Sequence, residues 1–218
     1  MSAARTPAAD EELRPGPARR IGVLISGRGS NLKAILAACS EGRIPAPVGL
    51  VVSNVADAAG LDHARREGVR TAVVDHRDSA NREEHDRKVV ARLQEEGVDL
   101  VCLAGYMRLL SPWFVRQFRG RVLNIHPSLL PAFPGLHGQR QAVRHGVKVS
   151  GCTVHLVDED LDTGPIILQK AVPVEDDDDE EALSARILAM EHRLYPEAIR
   201  LFCEDRITVR GRTVHIRK

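Results

Sequence analysis

Val98-Asp99-Leu100-Val101-Cys102-Leu103-Ala104 is almost wholly apolar, the pattern of a strand in the middle of a parallel sheet with helices on both faces. A strand with one wet face would alternate instead. Working outward, Asn81–Glu96 before it reads as a charged amphipathic helix with Val89, Val90 and Leu93 on one stripe. After it, Ser111 caps a short helix, Pro112–Phe118, and Val122–Ile125 reads as the next strand. Upstream the alternation continues: strand Ile21–Ser26, helix Asn31–Glu41, strand Val48–Ser53, a helical stretch around Ala58–Glu67, and short strand Thr71–Asp75. Such β-α-β order implies right-handed crossovers and an open, Rossmann-like α/β sheet.

Beyond residue 126 the pattern changes. A helical piece near Gln139–His145 leads into two longer strands, Lys148–Val157 and Pro165–Val174, expected to pair antiparallel in the sheet's C-terminal half. A long helix, about Glu180–Leu201, packs back, and Ile207–Lys218 reads as a small hairpin around Arg210-Gly211-Arg212. The expected organisation is a disordered tail over residues 1–19, one domain over residues 20–204, and a C-terminal extension over residues 205–218.

With 218 residues, 43% hydrophobic and 28% charged, the chain has the make-up of an ordinary globular enzyme with one sizeable core. A formal charge of +1 gives no global field for nucleic acid or an acidic membrane, and no apolar run spans a bilayer or serves as a signal. The 4 cysteines are scattered without a CxxC pair, with Cys102 and Cys152 reading as core thiols in a reducing cytoplasm. The acidic run Glu175 to Glu181 reads as negative charge at a helix N-terminus rather than a calcium loop, so no metal is expected.

Two stretches carry chemistry. Gly27-Arg28-Gly29-Ser30-Asn31-Leu32 follows the first strand and opens the first helix, where backbone N–H groups and the helix dipole hold phosphate. Leu32 replaces the third glycine of a dinucleotide fingerprint, and Ser53-Asn54 stands where a ribose-binding acid belongs. A single terminal phosphate on the N–H groups of Gly29, Ser30 and Asn31 fits better, and the stretch also reads as a strand–helix turn that needs glycine for its geometry alone. The second stretch is Asn124-Ile125-His126-Pro127: Asn124 and His126 share a face of a strand that Pro127 ends. An amide beside an imidazole suits oxyanion stabilisation and proton movement, and equally suits local hydrogen bonding. Asp162, in the turn Leu161-Asp162-Thr163-Gly164-Pro165, is placed to orient such a histidine and favour its imidazolium. Arg82 and Arg108 are cationic candidates, Arg108 just after the central strand and so at the same sheet edge, and both equally suit a solvated surface; His137 and His155 lack ligand-like spacing.

Taken together, Ser26 through Leu32, Ala104-Gly105-Tyr106-Met107-Arg108, Asn124 through Gly135, Val154-His155, Asp162 through Ile167, Glu191-His192 and Tyr195-Pro196 resemble the glycinamide ribonucleotide formyltransferases, folate-dependent enzymes of purine synthesis. The resemblance spans roughly Arg20 to Glu204. It implies a catalytic trio of Asn124, His126 and Asp162, a phosphate turn at Gly29, Ser30 and Asn31, and Glu191 on the substrate ribose. It implies folate contacts from Arg82, from Met107, Arg108, Leu109 and Leu110 along the pterin pocket, and from Asn124, with the loop Val157–Asp162 closing over. Gln139 and Leu188 depart from the family, standing where some relatives carry His and Gln.

The implied reaction is formyl transfer from 10-formyltetrahydrofolate, a consumed co-substrate, to the glycinamide amine without a metal. The implied protein is a cytoplasmic monomer or homodimer with small-molecule substrates only. The alternatives are methionyl-tRNA formyltransferase and formyltetrahydrofolate hydrolase of the same superfamily, or a non-catalytic nucleotide-binding module. The first two normally carry a further domain after or before the catalytic one, against which stand the short flanks seen here.

Overall fold

The computed structural model describes residues 12–218. Its strands are β1 (Glu12–Leu13), β2 (Ile21–Ile25), β3 (Val48–Ser53), β4 (Arg70–Val73), β5 (Leu100–Leu103), β6 (Val122–His126), β7 (Val149–Leu156), β8 (Ile166–Pro173), β9 (Ile207–Arg210) and β10 (Thr213–Ile216). The α-helices are α1 (Ser30–Ser40), α2 (Gly60–Arg66), α3 (Arg82–Glu95), α4 (Pro112–Gln117), α5 (Gly138–His145) and α6 (Glu180–Cys203). All the described strands form one sheet in the order β1-β9-β10-β8-β7-β6-β5-β2-β3-β4. From β6 through β5, β2 and β3 to β4 every pairing is parallel, whereas β7 joins β6 antiparallel and β8 joins β7 antiparallel. This is the mixed α/β sheet expected from the sequence.

Period-two alternation divides the central strands between two cores. Val23 and Ile25 of β2, Cys102 of β5 and Leu123 of β6 face one side, under α1, α2 and α6. Leu24 of β2, Val101 and Leu103 of β5 and Val122 of β6 face the other, under α3 and α4. Burying each such Leu or Ile stabilises the fold by about 1.5–3 kcal/mol, so both helical layers are held by apolar area. Tyr195 of α6, fully buried, places its hydroxyl 3.0 Å from the Leu103 carbonyl and 2.9 Å from that of Leu123, tying the helix to β5 and β6.

Three local readings are adjusted. β5 is shorter than residues 98–104 because the Val98 N–H still bonds the Leu93 carbonyl at the end of α3, and Asp99 accepts the Arg19 and Arg20 N–H groups. β4 stops at Val73 because Asp75 turns inward to cap the 3-10 turn His76–Asp78 through the Arg77 N–H. The expected disordered tail, residues 1–19, lies in part outside the described residues, and its described part, residues 12–19, is ordered. Glu12–Leu13 pairs with Val209 and Arg210 of β9, and Ala18 is buried in the core, because the C-terminal hairpin leaves an open sheet edge to extend. That hairpin, β9–β10, forms as expected and joins the main sheet through Thr213 against Ile166 of β8.

The acidic run does supply helix-terminal charge. Asp179 caps α6 through the Ala182 N–H, while Asp178 takes a bidentate ion pair from Arg186 and Asp176 pairs with Lys148. Cys102 and Cys152 are fully buried, and all four cysteines are free.

Candidate active site

Most candidate residues lie at strand ends, in the turns that follow strands or in the first turn of the next helix, whereas Glu191 comes from the middle of α6. The chain runs outward from β2 to β3 and β4, then returns to lay β5 and β6 on the other side, so the sheet's switch point lies between β2 and β5. Ligands of open α/β sheets bind in that crevice. The turn after β2 and the turn after β5 are stitched together there: Ser26 Oγ donates to Asn54 Oδ1 at 2.5 Å and accepts the Met107 N–H at 2.8 Å. A separate cleft of about 710 Å³ lies at the opposite end of the strands, near Arg20, Gly49 and Arg70, and shares no residue with the candidates.

On β6, Val122 still belongs to the core beneath α3 and α4, but the next two residues on that face are Asn124 and His126. The polar pair therefore replaces core side chains where the helical cover ends. β7 runs antiparallel beside it, bringing His155 opposite Asn124 and Thr153 opposite His126. Asn124 Nδ2 lies 3.2 Å from His155 Nε2. The other His155 nitrogen, Nδ1, lies 2.8 Å from the Leu156 carbonyl and donates to it, which fixes the ring's orientation beside the Asn124 amide.

The Asp162 turn comes down over this pair. His126 Nδ1 is 3.4 Å from Asp162 Oδ2, and His155 Nε2 is 3.6 Å from Asp162 Oδ1. Oδ2 also accepts the Gly135 N–H at 2.8 Å. Asp162 itself holds a left-handed backbone, φ +53°, rare for a residue with a side chain and maintained by these contacts. Burial pushes its carboxyl pKa up, but the His155 bond, the Gly135 N–H and the two imidazoles outweigh it and hold the group below the usual carboxylate range.

The expected imidazolium meets opposing influences in the free site, with Asp162 favouring it. His126 Nε2 lies 2.9 Å from the Phe133 carbonyl, so both ring nitrogens face acceptors, an arrangement that favours the charged ring. Burial is the larger influence, however, and the pKa of His126 falls below its ordinary value. The loop behind it is rigidly tied: Thr153 Oγ1 donates to the Ser128 carbonyl and accepts the Leu130 N–H, and Gln169 reaches both Thr153 and the Leu130 carbonyl.

Gly29 is the N-cap of α1 with φ +73°, and a Cβ there would sit 2.6 Å from the Cα of Gly60. The turn is thus a glycine packed on a glycine, leaving the first N–H groups of α1 without helical partners. Asn31, in the first turn of α1, donates through Nδ2 to Glu191 Oε2 at 2.7 Å, and its Oδ1 is buried without a partner. Glu191, 6% exposed on α6, is pushed up in pKa by burial, with the Asn31 bond opposing. The structure therefore brings Gly29, Ser30, Asn31 and Glu191 together.

On the far side of the crevice, Met107 and Leu109 are exposed at 64% and 56%, Leu110 packs on the second core, and Arg108 Nε is buried without a partner. Arg82 opens α3 at the surface, on the rim. Leu161 of the Asp162 turn adds a third exposed apolar side chain, 49% accessible. Gln139 lies in the first turn of α5 and Leu188 on α6, one turn before Glu191. Spacing alone passed over His155, whose signal was only its place in Val154-His155; the β6–β7 register that sets it against Asn124 is a tertiary fact.

The formyl transferase family model matches residues 19–199. The chain belongs to the formyl transferase family. This family member is 47% identical over 185 residues to the phosphoribosylglycinamide formyltransferase of Escherichia coli (strain K12), covering 85% of the chain and 87% of that relative. It is 51% identical over 183 residues to the trifunctional purine biosynthetic protein adenosine-3 of Drosophila melanogaster, 83% of the chain but only 14% of that much longer protein. The crystal structure of glycinamide ribonucleotide transformylase 1 from Symbiobacterium toebii superposes with a TM-score of 0.91 at 59% identity, over 92% of this chain and 94% of that one. Among the described residues no helix is long and apolar enough to cross a membrane.

Proposed function

We propose that this formyl transferase moves a formyl group from 10-formyltetrahydrofolate to the amine of 5-phosphoribosylglycinamide, giving the N-formyl product and tetrahydrofolate in purine biosynthesis in the cytoplasm. The observation that carries the reading is the meeting of Asn124, His126 and Asp162 at one point, beside a glycine turn suited to phosphate, in a chain 47% identical to a phosphoribosylglycinamide formyltransferase over most of both lengths. The residues across the crevice fit a folate: Met107, Leu109 and Leu161 offer apolar area for a flat ring, and the orphaned Arg108 Nε offers a buried donor. On the acceptor side, the open Asn31 Oδ1 and Glu191 are suited to sugar hydroxyls, and the free N–H groups of Gly29, Ser30 and Asn31 to the phosphate.

The bound folate supplies an electrophilic formyl carbon and N10 as the departing nitrogen. The phosphate turn and Glu191 hold the acceptor so that its neutral amine faces that carbon. As the amine adds, negative charge grows on the formyl oxygen, where the Asn124 amide and His126 donate hydrogen bonds. Binding of the anionic substrates beside a ring already flanked by acceptors favours uptake of one solvent proton, returned on product release, so the imidazolium that burial opposes in the free site is in place as charge develops on the oxygen. Asp162 fixes the ring and balances its charge. Through ordered water, Asp162 relays the proton lost by the attacking amine to N10 as the C–N10 bond breaks. Neither net proton nor electron is consumed.

The test is a folate absorbance assay with purified protein and 10-formyltetrahydrofolate. Turnover should require phosphoribosylglycinamide. Equal turnover in its absence would mean that water is the acceptor, and turnover on methionyl-tRNA alone would mean a macromolecular one; either result overturns the reading.

A further inference from the structure

The Asp162 turn is gripped from outside by a part of the chain beyond the matched family region, residues 19–199. Arg212, exposed in the turn between β9 and β10, donates through Nη2 to the Thr163 carbonyl at 2.7 Å. Thr163 directly follows Asp162. The hairpin that carries Arg212 is anchored: Thr213 pairs with Arg210 of β9 and with Ile166 of β8, the residue after the turn. Arg212 therefore reaches the turn from a position fixed by sheet register.

The inner side of the turn is equally restrained. Gly164 packs so closely on the Leu156 carbonyl that a Cβ would lie 1.8 Å from its oxygen, and the Leu156 N–H bonds the Pro165 carbonyl at 2.9 Å. Thr163 Oγ1 donates to Asp158 within the same loop, and Arg116 of α4 pairs with Glu159 further round. Among these ties, Arg212 is the one made by a separate element to the residue next to Asp162. Among Asn124, His126 and Asp162, Asp162 is also the one with a left-handed backbone, φ +53°, a conformation that relaxes unless its surroundings hold it.

We propose that Arg212 is a positioning residue for the reaction. By holding the Thr163 carbonyl, it keeps the Asp162 turn in the backbone state that aims the carboxylate at His126 and His155. The inference rests on the role given above to Asp162. It makes the C-terminal hairpin part of the catalytic apparatus rather than an appendage.

The experiment is steady-state formyl transfer by full-length Arg212→Ala, Arg212→Lys, Asp162→Asn and the Arg212→Ala/Asp162→Asn double variant. Arg212→Ala should lower kcat at least threefold, about the effect of losing one exposed hydrogen bond from a charged donor. The KM for phosphoribosylglycinamide and the melting temperature should stay at wild-type values. Arg212→Lys, which retains a charged donor, should recover roughly half or more of the lost kcat. In the Asp162→Asn background, Arg212→Ala should cost nothing further, because both substitutions act through one carboxylate. A smaller fall in kcat, or the same fall again in the Asp162→Asn background, overturns the proposal while leaving the role of Asp162 intact. Wild-type turnover by Asp162→Asn overturns both.

Discussion

Burial opposes the charged form of His126, while the Phe133 carbonyl and Asp162 favour it, and the balance lowers the pKa of a ring whose two nitrogens already face acceptors. Such a group responds strongly to one added negative charge, which suits a site whose anion exists only in passage. His126→Ala should therefore fold and still bind phosphoribosylglycinamide, yet lose about 10²–10³ in kcat, the usual cost of removing an oxyanion donor; isothermal titration and single-turnover transfer separate the two effects. Near-wild-type kcat would remove His126 from the mechanism. Asn124, His126 and Asp162 were legible as candidates because strand alternation and a terminating proline put the first two on one face. His155 and the Gly135 N–H were not legible, since both act through pairings between segments about 30 residues apart.

At the scale of elements, the turn from β2 into α1 depends on a close approach to α2. The Gly29 backbone has φ +73° and no room for a Cβ against the Gly60 Cα, and Gly60 N–H bonds the Gly27 carbonyl at 3.0 Å. Gly29→Ala should destabilise the protein by about 1–3 kcal/mol in urea denaturation. It should also raise the KM for the phosphorylated acceptor about tenfold or more, because the displaced N–H groups no longer converge. An unchanged KM would mean that phosphate binds elsewhere. The strand and helix order was readable from periodicity and caps, with Asn81, Ser111 and Asp179 all capping through their side chains. Boundaries moved where a polar side chain was claimed by a neighbouring element, as at Asp75 and Asp99. The pairing of Glu12–Leu13 with β9 carried no local signal, because a two-residue strand is made by the edge it joins.

Across the whole molecule, buried titratable groups give stability a pH dependence whose sign can be worked out. His85, fully buried with Nε2 2.8 Å from the Tyr106 hydroxyl, has its pKa lowered to about 4, first by burial and then by the Arg108 charge. Above about pH 6.5 the group is neutral in both states and contributes nothing. Between there and pH 4 the unfolded chain takes up a proton that the folded one refuses, so stability falls with acid. Relative to His85→Gln, the wild type should lose on the order of 3 kcal/mol between pH 7 and pH 4 in chemical denaturation. Parallel pH curves for the two proteins would refute this. Sequence by itself determined the α/β class, the strand order up to His126 and the identity of the polar residues at the strand ends, because periodicity, caps and prolines act over a few residues. Only the tertiary structure decided that Asp162 meets both His126 and His155, that Asn31 is joined to Glu191, and that Arg212 touches the Asp162 turn. Those contacts depend on sheet register and helix packing, which are settled by burying two cores at once and leave no trace in local pattern.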